Sequence, residues 1–172
     1  MEATNPISMD TIYTVGHSNH ISEKFIALLK QHTIACLVDV RSQPYSRYNP
    51  HFNRETLAAT LRAAGIQYVD MGATLGGRPD QKDLYDPGDE RPNYQRQRQT
   101  EPYQAGLAAL TQQARQVTTA IMCSEGNPHE CHRGEWLITP DLIDAGFSVQ
   151  HILPDGTIEL AEKLFEQLGF GF

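Results

Sequence analysis

The 172-residue chain reads as one three-layer α/β domain: a mostly parallel sheet of about five strands, with helices on both faces. Three observations predict this. Short apolar, β-branched runs alternate with stretches of helical period. The run IACLVDV at 34–40 is apolar almost throughout, as a parallel strand covered on both faces must be. No internal repeat, low-complexity block or composition break marks a second domain.

In chain order, residues 1–10 read as a flexible tail and 11–172 as the domain. TIYTVG, 11–16, is the first strand, and Gly16-His17-Ser18-Asn19 turns the chain at its C-terminal end. Ser22 is expected to cap a helix whose apolar stripe is Phe25, Ile26, Leu28 and Leu29. The second strand, 34–40, runs into a loop carrying Arg41, Arg47, His51 and Arg54 with Tyr45, Tyr48 and Phe52 between them. Asn53 is placed as the cap of the next helix and Gly65 as its stop. IQYVDM, 66–71, is the third strand. A long loop without clear period, about 72–99, follows it and contains Gly76-Gly77-Arg78-Pro79. Thr100 and Pro102 introduce a further helix. Strands at 117–123 and 147–153 complete the sheet, and Leu160, Leu164 and Leu168 predict a closing helix over 157–168.

The composition suits a globular chain with a real core: 40% hydrophobic and 20% charged residues. No apolar run approaches the ~20 residues of a membrane helix, so no membrane partner is expected. The N-terminus lacks the pattern of a signal peptide, and three cysteines suit a reducing compartment, so a cytoplasmic location is expected. No disulfide is expected, with Cys36 buried in a strand and Cys131 the easier thiol to ionise. The net charge of −7 disfavours binding nucleic acid over the whole surface. A local basic groove remains open, since 41–62 holds four Arg against one Glu, a balance of +3.

The chemistry concentrates in VTTAIMCSEGNPHECHRGEWLI, 117–138. Here a strand ends in Cys123, Ser124 and Glu125. Asn127 as cap, Pro128 at the first position and Glu130 then predict a helix start, which places Cys131, His132 and Arg133 in its first turns. In open α/β sheets ligands bind at the C-terminal ends of strands. A cleft lined by His17, Arg41, Cys123, Glu125 and part of the 41–54 loop is therefore expected.

Five pieces line up in order: TVGHSN at 14–19, DVRSQPYSR at 39–47, LGGRP at 75–79, MCSEGNPHECHR at 122–133 and VQHILPDG at 149–156. Together they resemble the family called domain of unknown function 488. The resemblance implies a small cytoplasmic α/β protein of bacterial or archaeal type, and no established reaction.

Three functional readings follow from the residues. The first is an enzyme acting on an anionic substrate, phosphate-bearing or nucleic acid. Arg41, Arg47, Arg133 and the helix start at 128–130 would hold the anion, His17 or His132 would be acid or base, Cys123 the nucleophile, and Glu125 a further catalytic carboxylate oriented by Arg41 or Arg133. The second is a metal site built from His17, Cys123, Glu125, Cys131 and His132, at a Cys spacing unlike a zinc knuckle. The third is a non-catalytic module reading nucleic acid or protein through 41–62 and 91–98. The sequence names no cofactor, and the glycines lack a Walker lysine.

Overall fold

A computed structural model describes residues 10–162. The strands are β1 (Thr11–Gly16), β2 (Cys36–Asp39), β3 (Gln67–Asp70), β4 (Thr119–Cys123), β5 (Ser148–Ile152) and β6 (Ile158–Leu160). They form one sheet in the order β3-β2-β4-β1-β5-β6. All pairings are parallel except that of β5 with β6. The helices are α1 (Ser22–Gln31), α2 (Arg54–Ala63), α3 (Gly72–Leu75), α4 (Tyr94–Arg98), α5 (Glu101–Gln116) and α6 (Ile138–Asp144).

The period-two alternation of the central strands separates two cores. In β4, Ala120 and Met122 face Phe25, Leu29, Leu57 and Leu61 of α1 and α2. Ile121, between them, faces Leu75, Tyr103, Leu110 and Leu142 of α3, α5 and α6. Two apolar layers on opposite faces make the predicted three-layer α/β domain, because each helix buries only one stripe.

The parallel register brings the strand ends together. Gly16 is level with Cys123, Asp39 with Met122, and Asp39 with Asp70. The ladder runs on past the strands, with His17 N bonding Cys123 O at 2.9 Å and Val40 N bonding Met122 O at 3.0 Å.

Several local expectations need correction. The sheet has a sixth strand: Ile158–Leu160 pairs antiparallel with β5 after the Pro154-Asp155-Gly156 turn, where Gly156 takes φ +87°. The helix expected over 157–168 is thus absent at its start, and Leu164 and Leu168 lie outside the described residues, as does most of the 1–10 tail. Ser22 is the first residue of α1; Ile21 occupies the cap position and there is no side-chain cap bond. Asn53 does cap α2, but its side chain accepts from Ser46 N rather than from the helix. The 72–99 stretch folds α3, a short turn at Lys82–Leu84, and α4. No helix among the described residues is long and apolar enough to cross a membrane.

The most consequential difference lies after β4. Asn127 caps as expected, its Oδ1 accepting from His129 N at 3.0 Å, but the helix it starts lasts only Pro128–Glu130. Cys131 is extended (φ −131°, ψ 148°) and a separate wide turn spans His132–Trp136, with Gly134 outside helical geometry. Gly134 is forced by packing: a Cβ there would sit 1.8 Å from Pro128 O. No long helix dipole therefore points into the site, and the anion-holding role given to a helix start at 128–130 is withdrawn.

Candidate functional site

A cavity of about 310 Å³ opens at the C-terminal ends of β2 and β4. Four segments wall it: 41–43 after β2, the Gly77–Arg78 turn, 123–125 at the end of β4, and 130–132 together with Trp136. Arg91 and Tyr94 close one side. The Gly76-Gly77 pair lets its turn come close. A Cβ at Gly76 would meet Ser42 Oγ at 2.2 Å, and one at Gly77 would meet the His132 ring at 2.6 Å.

Asp39 and Arg41 form the rigid floor. The buried Asp39 carboxylate accepts from Arg41 Nε at 2.9 Å and Nη2 at 2.8 Å, from Arg41 N at 3.1 Å, and from the Tyr68 hydroxyl at 2.7 Å. Burial and the adjoining Asp39 carboxylate push the Tyr68 phenol far up, so it stays a donor. Arg41 Nη2 also donates to Phe52 O at 2.8 Å. Arg41 lines the cavity, but most of its fork is spent on Asp39 and the loop.

The reactive part is the Cys131–His132 pair. His132 Nε2 lies 2.9 Å from the Val40 carbonyl, which can only accept, so Nε2 carries the proton. With the Nε2 proton fixed on Val40 O, Nδ1 is free to accept, and it faces Cys131 Sγ at 3.5 Å, placed to take the thiol proton. The spacing is that of a thiol beside a base whose other ring nitrogen is held by a third group. The Cys131 thiol is held well below the ordinary range, first by hydrogen bonding with Cys123, then by His132 and the charge of Arg133, against the opposing cost of burial. Cys123 moves the other way: burial and the neighbouring Cys131 push it well up. Its Sγ lies 3.6 Å from Glu125 O. Of the two sulfurs Cys131 is the one that ionises, its proton passing to His132 Nδ1, and Cys123 keeps its own.

The remaining expected residues fall into two groups. Arg41, Cys123, Glu125 and His132 line the cavity as expected. His17, Arg47 and Arg133 do not. The His17 ring stacks on Phe52 at 4.5 Å, bonds Ser18 O at 2.8 Å, and is held neutral by burial, which lowers its pKa to about 4. Arg47 is exposed beside Tyr48. Arg133 is fully buried and donates from Nε to Val15 O at 3.1 Å and from Nη2 to Glu125 O at 3.1 Å. It thus holds the backbone of Glu125, not its carboxylate. Among the described residues it has no carboxylate partner, and its Nη1 has no hydrogen-bond partner. The expected pairing of Glu125 with Arg41 or Arg133 is not present: Arg41 goes to Asp39 and Arg133 to carbonyls.

The cavity instead recruits Arg78 and Arg91, neither of which has an ion-pair partner among the described residues. Arg91 lies over the Trp136 ring at 4.1 Å. The advance signals were the double glycine before Arg78 and, for Arg91, its place at the start of the basic 91–98 stretch. Among the described residues no group of three or more His, Cys, Asp or Glu side chains is arranged to hold a metal ion, so the five residues of the metal reading do not form a ligand set. The basic stretches 41–62 and 91–98 also spend charge internally. Arg54 pairs with Glu55 and Asp70, Arg96 with Asp86, and Arg98 with Asp141. Cys36, Cys123 and Cys131 are all free and all buried.

The model of the family described as domain of unknown function DUF488 matches residues 22–135, more than half of the chain. The chain belongs to this DUF488 family. The match takes in the β2 loop, the double-glycine turn and the whole Cys123–Arg133 stretch, so the cavity is built mainly from family-matched residues. No curated protein and no solved structure matches the chain.

Proposed function

We propose that this DUF488 protein is an enzyme that attacks an anionic, small-molecule-sized substrate with the Cys131 thiolate, His132 serving as its acid–base partner. The observation that carries the reading is the 3.5 Å approach of Cys131 Sγ to the His132 nitrogen left as acceptor by the Val40 carbonyl. A surface cysteine next to a solvated histidine would show no such orienting bond. Anion preference rests on Arg78 and Arg91, which line the cavity and have no ion-pair partner among the described residues. At about 310 Å³ the space suits a metabolite-sized group. Cys123, the nucleophile suggested by the sequence, gives that role to Cys131 because it keeps its proton and donates it.

The test is the pH dependence of alkylation by iodoacetamide, read by mass spectrometry at Cys131. The reading expects Cys131 to react fully at mildly acidic pH. His132→Ala should move the profile toward the free-thiol value of about 8.5. Phosphate should slow the wild-type reaction. A Cys131 that reacts only in the alkaline range, with or without His132, would remove the dyad.

A further inference from the structure

The nucleophile does not stand alone. Cys123 and Cys131 come from different segments, the end of β4 and the extended residue after the 128–130 turn, and both line the cavity. Hydrolytic cysteine chemistry needs one sulfur. A second thiol lining the same cavity is what thiol–disulfide exchange needs, because it can attack the first sulfur once that carries a substrate fragment.

We propose that Cys131 and Cys123 form a two-thiol centre that reduces an anionic disulfide, with Cys131 as attacking and Cys123 as resolving thiol. This rests on the reading of Cys131 as nucleophile and narrows its substrate class. In the first step the Cys131 thiolate attacks one sulfur of R–S–S–R′. The substrate S–S bond breaks, a Cys131–S–S–R bond forms, and R′S⁻ leaves. His132 Nδ1 passes the proton it took from Cys131 to the departed R′S⁻, and in the second step Cys123 gives its proton to the freed Nδ1 and attacks Cys131 Sγ. A Cys123–Cys131 disulfide forms and RS⁻ leaves. The two protein thiols are oxidised by two electrons and the substrate is reduced by two. A low-molecular-weight thiol in excess restores the dithiol.

The buried surroundings favour the second step at the right moment. In the free protein the Cys131 anion holds Cys123 in its protonated form. After the first step that anion is gone, while the buried Arg133 guanidinium remains with no carboxylate partner among the described residues. Its field, which bears on both sulfurs, then favours the Cys123 thiolate. Arg78 and Arg91 select disulfides carrying carboxylates or phosphates.

The experiment uses reduced protein in a Cys36→Ala background, oxidised glutathione as the anionic disulfide and cystamine as its cationic counterpart. Acid-quenched samples are read by intact mass. The proposal expects the parent protein to lose two hydrogens and keep no adduct. Cys123→Ser, which retains a hydroxyl donor beside Cys131, should keep one glutathione on Cys131, and Cys131→Ser should stay unmodified. Glutathione disulfide should react at least about tenfold faster than cystamine, a preference that Arg78→Ala and Arg91→Ala reduce. Parent protein that retains the adduct as Cys123→Ser does would overturn the resolving role. Faster reaction with cystamine would overturn the anionic substrate class. No adduct in Cys123→Ser, with Cys131 still rapidly alkylated by iodoacetamide, would overturn the disulfide chemistry and leave the nucleophile in place. A Cys131 inert to both reagents would remove both readings.

Discussion

A Cβ on Gly77 would stand 2.6 Å from Cγ and 2.8 Å from Nδ1 of His132, so the absence of a side chain at 77 is what lets the imidazole lie where it does. The ring cannot retreat freely, because Nε2 is fastened to Val40 O at 2.9 Å. Gly77→Ala is therefore expected to break the contact of Nδ1 with Cys131. Alkylation of Cys131 at neutral pH should fall by about tenfold or more, the scale of a lost acid–base partner. Thermal unfolding should show a cost of about 1–3 kcal/mol for overpacking. Unchanged alkylation in a folded variant would mean that His132 does not act on Cys131.

The Asp39–Arg41–Tyr68 cluster is expected to be structural first. Removing the carboxylate in Asp39→Ala strands a buried guanidinium and a half-buried phenol, at a cost of about 3–5 kcal/mol. Urea unfolding measures this. A loss under about 1 kcal/mol would place the cluster outside the core of the fold.

Arg78→Ala and Arg91→Ala should separate binding from stability. Both side chains are exposed and line the cavity, so stability should stay within about 0.5 kcal/mol. Phosphate affinity, by calorimetry, should drop about tenfold in each, the worth of one charge-assisted hydrogen bond. Arg47→Ala, outside the cavity, should bind as the parent does. Equal loss in all three variants would point to general surface charge instead of a site.

Acid should destabilise the domain through buried histidines. Burial lowers the pKa of His17 and of His151 to about 4 from 6.5, and His151 Nδ1 is paired with Thr14 Oγ1 at 2.6 Å. The unfolded chain takes up these protons below pH 6.5 while the folded chain resists them, so their stabilisation is full above that value and is lost as pH falls toward 4. Each group accounts for roughly 3 kcal/mol across this window. Urea midpoints of His17→Gln and His151→Gln should show a flatter acid limb than the parent. An identical limb in all three would show that neither ring is held neutral.

Much of the fold was legible because strand and helix periods differ and because parallel strands must place their C-terminal ends on one edge. That argument brought Arg41, Cys123 and Glu125 together correctly across more than eighty positions. It failed where one residue sets a direction. The extended backbone at Cys131 ends the short helical turn, and the next one buries Arg133 against Val15 and Glu125 carbonyls. A continuous helix from Pro128 was the natural reading of the cap signals, and no local propensity at Cys131 contradicted it. His17 turns away from the cavity to stack on Phe52, a tertiary choice invisible in a strand-end turn. β6 was missed because Ile158–Leu160 begins a leucine spacing that also fits a helix; the Pro154-Asp155-Gly156 turn was the better guide.

The most direct measurement of the central claim is the ultraviolet thiolate absorbance of the native protein titrated with pH, compared with Cys131→Ser. The account predicts a thiolate step on the acid side of neutrality that is lost in Cys131→Ser and displaced upward in His132→Ala. A single step near the free-thiol value of about 8.5, the same in parent and His132→Ala, would contradict it.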